Sequence, residues 1–571
     1  MAPTQHLSSA VQTSRGWRLL ALIVLALSTA VGCDKKSVAP ASSSSSTDAA
    51  AVADANTVEI LFSYGSEKQK WIDDVTADFN AGGRKLPSGK TVRVKAVAAG
   101  SGESMEDLLA GHTQADVWSP ASAVFVKLAN ARSQAKGGPL VGPTQELVLS
   151  PVVIAMWKPM AEALGWPSKP VGWSDVIALA KDPRGWAAYG HPEFGAFRFG
   201  HTHPEFSNSG LISVIAETYA GAGKVKDLNG DDLRDPKVAQ YLEDVERSVV
   251  HYGRSTGFFG RRLFEDGPQY LSAAVLYENM VVESYDHNLS VPLVAIYPKE
   301  GTIWSDHPVG IVQRDWVTPE HKQAAQLYID FLRAASQQQK ALRYGFRPAE
   351  GEMGAPIDLA HGVDPKQPGT ILELPSADTV NSVIELWRKH KKHSTVVLVF
   401  DKSGSMQDED KIGQAKRGAL ELAGMLRDQD AMGLVPFSSD VVIVPPALMA
   451  TGRSDVTARI GALFPDGETR LYEAVVAAHK LVTASQQPDR ISAVVVLTDG
   501  EDNGKRVTLP QLLDALGTGR EGAGVRIFTI GYGNSARLDD LKKISGQTRG
   551  EFYAGKPENI RSIFQDIATF F

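Results

Sequence analysis

The run Thr395-Val396-Val397-Leu398-Val399-Phe400 is apolar and rich in β-branched residues. A run of that length and composition reads as a strand buried on both faces, which requires helices on either side of its sheet. Asp401-Lys402-Ser403-Gly404-Ser405 follows directly. In an open α/β sheet the carboxyl ends of the strands are where ligands bind. Asp401, Ser403 and Ser405 would there offer a carboxylate and two hydroxyls at alternate positions, and hard divalent cations take oxygens while keeping several waters. A capping aspartate and a serine turn leading into a helix would leave the same pattern.

Two later clusters add to the first. Gly467-Glu468-Thr469-Arg470-Leu471 opens an amphipathic segment with another hydroxyl, and Ile491-Ser492-Ala493-Val494-Val495-Val496-Leu497 is a second buried-strand run ending on Thr498-Asp499-Gly500. Clusters of this kind at strand ends and in a loop fit one site on a doubly wound sheet. The ordered set Asp401-x-Ser403-x-Ser405, Thr469, Asp499 resembles the metal-ion-dependent adhesion site of von Willebrand factor A domains. The resemblance implies that Ser403, Ser405 and Thr469 contact a metal directly, and that Asp401 and Asp499 do so directly or through water. It also implies that a partner's acidic group completes the shell. Mg2+ is the first choice of cation, with Ca2+ and Mn2+ as alternatives. The matched motifs contain no His, Lys or Cys base, so the site is expected to dock a ligand rather than to act as an enzyme.

A chain of 571 residues is too long for one core and implies two to four domains. Its net charge of −7 gives no reason to expect nucleic-acid binding. The basic run Arg388-Lys389-His390-Lys391-Lys392-His393 reads as a solvated helix end, where cations suit the helix dipole.

There is one cysteine, Cys33. Arg15 and Arg18 precede the apolar run Leu19–Leu27, and small residues then lead to Cys33. That order is a secretory signal, and its apolar part is shorter than the ~20 residues that span a bilayer. Ala30-Val31-Gly32-Cys33 resembles a bacterial lipobox, with Ala30 where Leu is more usual. The resemblance implies cleavage before Cys33, its lipidation and a lipid-anchored place in the bacterial cell envelope, on the periplasmic or outer face. A secreted protein with a spare thiol and an uncleaved anchor are the alternatives. From Asp34 to Asn56 the chain is rich in Ser, Ala and Asp and has too little apolar surface to fold, so it reads as a tether.

Val58–Ser63 and Thr91–Ala96 read as strands, Ala115–Pro120 as a strand end, with Trp71, Val75 and Phe79 at helical spacing between the first two. Alternating strands and helices are an α/β pattern. With Pro151–Met156, Trp173-Ser174-Asp175-Val176, His203–Gly210, Ala274–Asn279 and Gly345-Phe346-Arg347-Pro348, this order resembles a type II periplasmic solute-binding protein over Thr57 to Pro375. The resemblance implies two lobes closing over a small polar or anionic solute, held by backbone N–H groups and helix N-termini. Ser63, Ser101, Ser104, Ser119, Ser207, Ser209 and Tyr277 are the candidate contacts. Each is equally readable as a helix cap or turn residue. Trp118 or Trp304 would stack on a sugar or simply pack. His201-Thr202-His203, with the repeated quartets His191-Pro192-Glu193-Phe194 and His203-Pro204-Glu205-Phe206, would suit a transition metal if the histidines faced one side. Prolines and the lack of a nearby cysteine favour ordinary packing.

Val380, Ile384 and Trp387 predict a linker helix with one buried face. Beyond the first motif, Ile412–Leu426 reads as a helix, Ala431–Phe437, Val441–Val444 and Val525–Ile530 as strands, and Ile560–Phe571 as an amphipathic end. Gly531-Tyr532-Gly533-Asn534 lacks the dinucleotide spacing. The expected architecture is α/β throughout: leader 1–33, tether 34–56, a two-lobed periplasmic-binding-protein-like domain 57–375, linker helix 376–393 and a Rossmann-like doubly wound domain 394–571. The expected function is metal-dependent docking of an acidic partner coupled to a solute-binding-like module. Alternatives are the substrate-binding component of an ABC-type uptake system with the second domain as accessory anchor, and a metal-dependent hydrolase.

Overall fold

The computed structural model describes residues 56–134, 137–487, 489–517, 524–532, 538–556 and 559–571. The leader with Cys33, nearly all of the tether, and Gly533 and Asn534 lie outside the described residues.

The first lobe begins with strands β1 (Thr57–Gly65), β2 (Thr91–Ala99) and β3 (Val117–Ser119), and β4 (Gln145–Glu146) follows at its edge. The chain crosses through β5 (Val148–Trp157) to β6 (Phe199–Thr202), β7 (Val249–Gly253), β8 (Ala273–Tyr277) and β9 (Leu293–Ile296). It returns through β10 (Trp304–Ser305) and β11 (Pro308–Ile311), and β12 (Arg347–Pro348) pairs with β5. The first sheet has the order β2-β1-β3-β11-β4 and the second β10-β5-β8-β6-β7, with β9 also on β5. Two lobes joined by crossing strands are the predicted arrangement, and β5 covers the predicted Pro151–Met156.

The linker helix α1 (Ala377–His390) is capped by Ser376, whose hydroxyl accepts from Thr379 N at 3.2 Å. It buries Val380, Val383 and Trp387, while Ile384 is half-buried. The apolar stripe thus runs through Val383 rather than Ile384, one position from the predicted face. The helix packs on two second-lobe helices, Asn208–Ala222 and Pro236–Glu246.

The third sheet contains β13 (His393–Asp401), β14 (Ala431–Phe437), β15 (Val444–Leu448), β16 (Arg490–Thr498), β17 (Arg526–Tyr532) and β18 (Phe552–Gly555), in the order β15-β14-β13-β16-β17-β18. All pairings are parallel except β14 with β15. Both faces of β13 are buried, as its composition requires. Val397 and Val399 pack into one cluster with Val494, Val496 and the helix α2 (Leu471–Ala484). Val396, Leu398 and Phe400 face the other way, into a cluster that continues through Phe570, Phe571 and Trp387 to Tyr252 in the second lobe. The solute-binding-like part and the last domain therefore share one apolar core, and Ala55–Phe571 is a single compact unit.

The basic run at the end of α1 is not a solvated helix end. Lys391 is 6% exposed and donates to Phe571 O at 2.8 Å, and Arg388 pairs with Glu205. Docking of the last domain against the second lobe covers these cations.

Candidate functional site

The parallel register of β13 and β16 places Phe400 opposite Leu497, so Asp401 and Thr498-Asp499 emerge side by side at the carboxyl edge of the sheet. Asp401 Oδ1 accepts from Ser403 N at 2.8 Å and Oδ2 accepts the Thr498 hydroxyl at 2.5 Å. The Ser403 and Ser405 hydroxyls lie 3.2 Å apart, and Ser405 donates to Asp499 Oδ1 at 2.7 Å. The loop carrying Thr469 is fastened to this edge by Gly404 N donating to Gly467 O at 3.1 Å and Thr469 N donating to Asn503 Oδ1 at 2.8 Å. Gly467 has φ +69, and a Cβ there would lie 2.5 Å from Ser439 Oγ, so the turn requires glycine. A Cβ on Gly500 would meet Thr469 Oγ1 at 3.4 Å and Ser405 Oγ at 3.9 Å, so these two hydroxyls flank one small space.

Asp401 and Asp499 are fully buried, Ser403 and Thr469 nearly so, and Ser405 is exposed. The set therefore has a buried carboxylate floor and a hydroxyl at its mouth. Burial pushes Asp401 up to about 6, the Asp499 charge adds to the rise, and the bonds from Thr498 and Ser403 oppose it. An all-oxygen set with two carboxylates is one that hard divalent cations take. Two neighbours were not singled out from sequence. Thr498 fixes the orientation of Asp401, and Lys411 Nζ, itself buried, donates to Asp499 Oδ2 at 2.6 Å. Nothing in the spacing of Lys411 signals that contact.

The expected solute contacts Ser63, Ser101, Ser104, Ser119, Ser207, Ser209 and Tyr277 are all buried. Most of them bond within the protein. Ser101 Oγ accepts from Ala121 N at 3.0 Å, Ser104 Oγ from Trp118 Nε1 at 2.9 Å, and Tyr277 OH from Asn208 Nδ2 at 3.0 Å. Ser209 shares a hydroxyl network with Thr202 and Thr256 at 2.8 Å, and Ser207 lies 3.1 Å from the Thr256 hydroxyl. Among the described residues, Ser119 Oγ and Asn208 Oδ1 are buried without a hydrogen-bond partner.

The helix N-termini expected to face a solute are also engaged. Gly102 N and Glu103 N, at the start of the first-lobe helix Ser101–Ala110, both donate to the second-lobe carbonyl of Phe206, at 2.9 and 3.2 Å. Gly257 N of the second lobe donates to Ser66 Oγ of the first at 3.0 Å. Ala123 N, opening the helix Ala123–Ser133, donates to the Asp306 carboxylate at 2.8 Å. Cβ atoms at Gly102 and Gly257 would lie 1.9 Å from Glu205 O and 2.3 Å from Ser66 O, so glycine at each lets the lobes touch backbone to backbone. Beside this contact Glu67, Lys68 and His307 form a buried trio, with Lys68 Nζ 2.7 Å from Glu67 Oε1 and His307 Nδ1 3.2 Å from the same oxygen. Burial alone would raise Glu67, but Lys68 and His307 outweigh it and hold it at about 2.

The histidines pack and pair separately, the reading the prolines favoured. His201 is fully buried, with Nε2 3.0 Å from Glu246 Oε1, and His203 packs edge-on against Trp387 at 4.9 Å. Burial pushes His203 down to about 3. His191 pairs instead with Glu193 on the surface. Among the described residues no three His, Cys, Asp or Glu side chains gather as metal ligands. Trp118 is buried and bonded to Ser104, and Trp304 lies under the Arg347 guanidinium at 5.1 Å, so neither offers an open face.

A family model described as bacterial extracellular solute-binding protein matches residues 60–347, half of the chain. The chain belongs to this family. A second model, von Willebrand factor type A domain, matches residues 395–566 of this solute-binding protein. A 172-residue stretch is 33% identical to calcium-activated chloride channel regulator 3A-1 of Mus musculus, covering 29% of this chain and 18% of the relative. The solute-binding protein thus spans about a fifth of the length of the curated relatives it matches. The periplasmic binding protein P5PA is similar over 59% of this chain and 100% of its own, at 14% identity and TM-score 0.41. A von Willebrand factor type A structure from Catenulispora acidiphila is similar over 31% and 42%, at 19% identity and TM-score 0.28. Among the described residues of this solute-binding protein, no helix is long and apolar enough to cross a membrane.

Proposed function

We propose that the protein is an envelope binding protein that docks an acidic partner group on a divalent cation held by its von Willebrand factor type A domain. Asp401, Ser403, Ser405, Thr469 and Asp499 would hold the ion, with Mg2+ first and Ca2+ or Mn2+ as alternatives. The observation that carries the reading is the convergence of these oxygens, linked through Ser405 Oγ, on one space beside Gly500. The cation supplies an exchangeable coordination position of positive charge. Asp401 and Asp499 form its anionic floor, Thr498 orients Asp401, and the exposed Ser405 marks the side from which a partner carboxylate enters.

The solute-binding module serves as a rigid mount in this reading. Its cleft donors are engaged by Phe206, Ser66 and Asp306, and its core is continuous with that of the docking domain. Signal cleavage over 1–33, lipidation at Cys33 and a tether over 34–56 would fix the mount to the membrane. Catalysis is not part of the proposal, because Lys411, the base that the bonds among the described residues bring to the set, is engaged by Asp499.

The test is binding of Mg2+, read by thermal unfolding with EDTA and with added metal. The midpoint rises with Mg2+ by mass action in the wild type and stays flat in Asp401→Ala. An equal rise in the variant refutes the site.

A second reading, delivery of a solute to an ABC-type permease, is favoured by the unpartnered buried atoms Ser119 Oγ and Asn208 Oδ1, one in each lobe. A solute that raises the unfolding midpoint in EDTA, and whose uptake falls on deletion of the protein, would support it.

A further inference from the structure

Strands β16 and β17 run from Arg490 and Arg526 to the metal edge. At their starting end, between the last domain and the second lobe, lies a cavity of about 110 Å3. The nine residues of β16 put its start roughly 30 Å from Asp499 at about 3.3 Å per residue. Among the described residues its lining contains Arg198, Lys392, Arg490, Arg526 and Arg549 together with His479, and no carboxylate.

Several part-buried and buried arginines elsewhere meet acids: Arg254 pairs with Glu103 and Asp566, Arg347 with Glu278, and Arg388 with Glu205. Among the described residues none of the five cavity cations has a carboxylate within 4.0 Å. Arg490 is held by neutral oxygens, Thr395 Oγ1 at 2.9 Å and the carbonyls of Ser394 and Gln429 at 2.5 and 2.8 Å. Among the described residues Arg526 donates to Arg549 O at 3.4 Å and lies against Tyr270, its guanidinium 5.4 Å from the ring. Lys392 reaches the carbonyls of Arg247 and Val249 at 3.4 and 3.3 Å. Among the described residues, Arg198 Nε and Ser492 Oγ are buried without a hydrogen-bond partner, and Ser492 is only 6% exposed. Burial pushes Arg526 down to about 10, with the Arg262 and Arg549 charges adding to the fall, and it lowers Arg198, Arg490 and Lys392 as well. Asp430 and Asp489 pull against this at Arg490, and Asp489 and Glu246 at Lys392; but Asp430 already accepts from Ser394 and Arg427 N, Glu246 from Tyr252 and Trp387, and Asp489 is exposed.

Desolvated cations without a counter-charge are costly. An oxyanion removes that cost, and guanidinium forks fit its oxygens in pairs. The space far exceeds the ~10–15 Å3 that one water needs.

We propose that this cavity binds a small oxyanion of the phosphate or sulfate type, held by Arg198 and Lys392 from one side and Arg490, Ser492 and Arg526 from the other. The ion then bridges the second lobe and the von Willebrand factor type A domain, and it stabilises their docking.

The probe is inorganic phosphate, with sulfate in parallel and chloride at matched ionic strength as reference, added to the intact chain in EDTA. Phosphate is expected to raise the unfolding midpoint beyond chloride. Arg526→Gln and Arg198→Gln, from opposite sides, should each weaken phosphate about tenfold or more, the loss of one charge-assisted contact. Arg198 is part exposed, so its variant keeps the fold if Arg526→Gln does not. Asp401→Ala should respond like the wild type. Equal responses to phosphate and chloride, or phosphate binding unchanged in Arg198→Gln, would overturn the proposal. A phospholipid headgroup offers the same chemistry on a membrane. Vesicles containing phosphatidic acid that bind while inorganic phosphate gives no response would overturn it too.

Discussion

Lys411 places a buried ammonium on Asp499, against the same carboxylate that is proposed to face a cation. Two unit charges 4 Å apart interact by about 4 kcal/mol at an effective dielectric of 20, so even partial relief is large. Lys411→Gln should bind Mg2+ about tenfold more tightly by calorimetric titration and should unfold earlier in EDTA, because Asp499 loses its contact with a buried cation. Unchanged or weaker Mg2+ binding would show that the ammonium helps rather than opposes the ion. At this scale Asp401, Ser403, Ser405, Thr469 and Asp499 were legible in the sequence, because strand ends in parallel register fix which oxygens meet. Lys411 was not. Its position depends on the segment Gly404–Asp410, which kinks through Glu409 and Asp410 at φ +53 and +54 before the helix Lys411–Met425 begins.

Among the elements, α1 binds the two domains together. Trp387 Nε1 donates to Glu246 Oε1 at 2.9 Å, and Glu246 also accepts from Tyr252 at 2.6 Å and contacts His201. Trp387→Phe removes that donor and leaves a small cavity, so denaturant unfolding should show a loss of at least about 1–3 kcal/mol. Glu217 lies in the same buried region, with Oε1 accepting from Ser213 at 2.6 Å and Oε2 unpartnered. Burial pushes it up to about 8, and the Glu246 charge adds to the rise. The folded state therefore holds a proton that the unfolded state releases above about 4.5, and this group's contribution is complete below that pH and is lost as pH rises to about 8. Glu217→Gln should flatten the fall in stability across that window, by up to about 1.4 kcal/mol per pH unit, in urea titrations at a series of pH values. A wild-type slope in the variant would contradict the assignment. Most strand and helix positions were readable from periodicity and composition, but the strand expected at Val441–Val444 instead runs Val444–Leu448. The burial of Lys391 and Arg388 was not, since a basic run carries no mark of the domain that comes to cover it.

For the whole molecule, the order of weak motifs over Thr57 to Pro375 was enough to give two lobes and a following doubly wound domain. Contact between the lobes was hidden, because it depends on carbonyl acceptors such as Phe206 O, which every residue carries alike. Gly102→Val should open the lobes, since its first side-chain carbon already meets Glu205 O at 1.9 Å. Small-angle scattering should then give a larger radius of gyration, with the metal response unchanged. A compact variant would mean that the contact at Phe206 does not hold the cleft closed. Metal binding itself is the central claim, and calorimetric titration of Mg2+ into the intact chain, beside Asp401→Ala, tests it most directly. One saturable site in the wild type and none in the variant is the predicted result. No site in the wild type, or the same site in both, would contradict it.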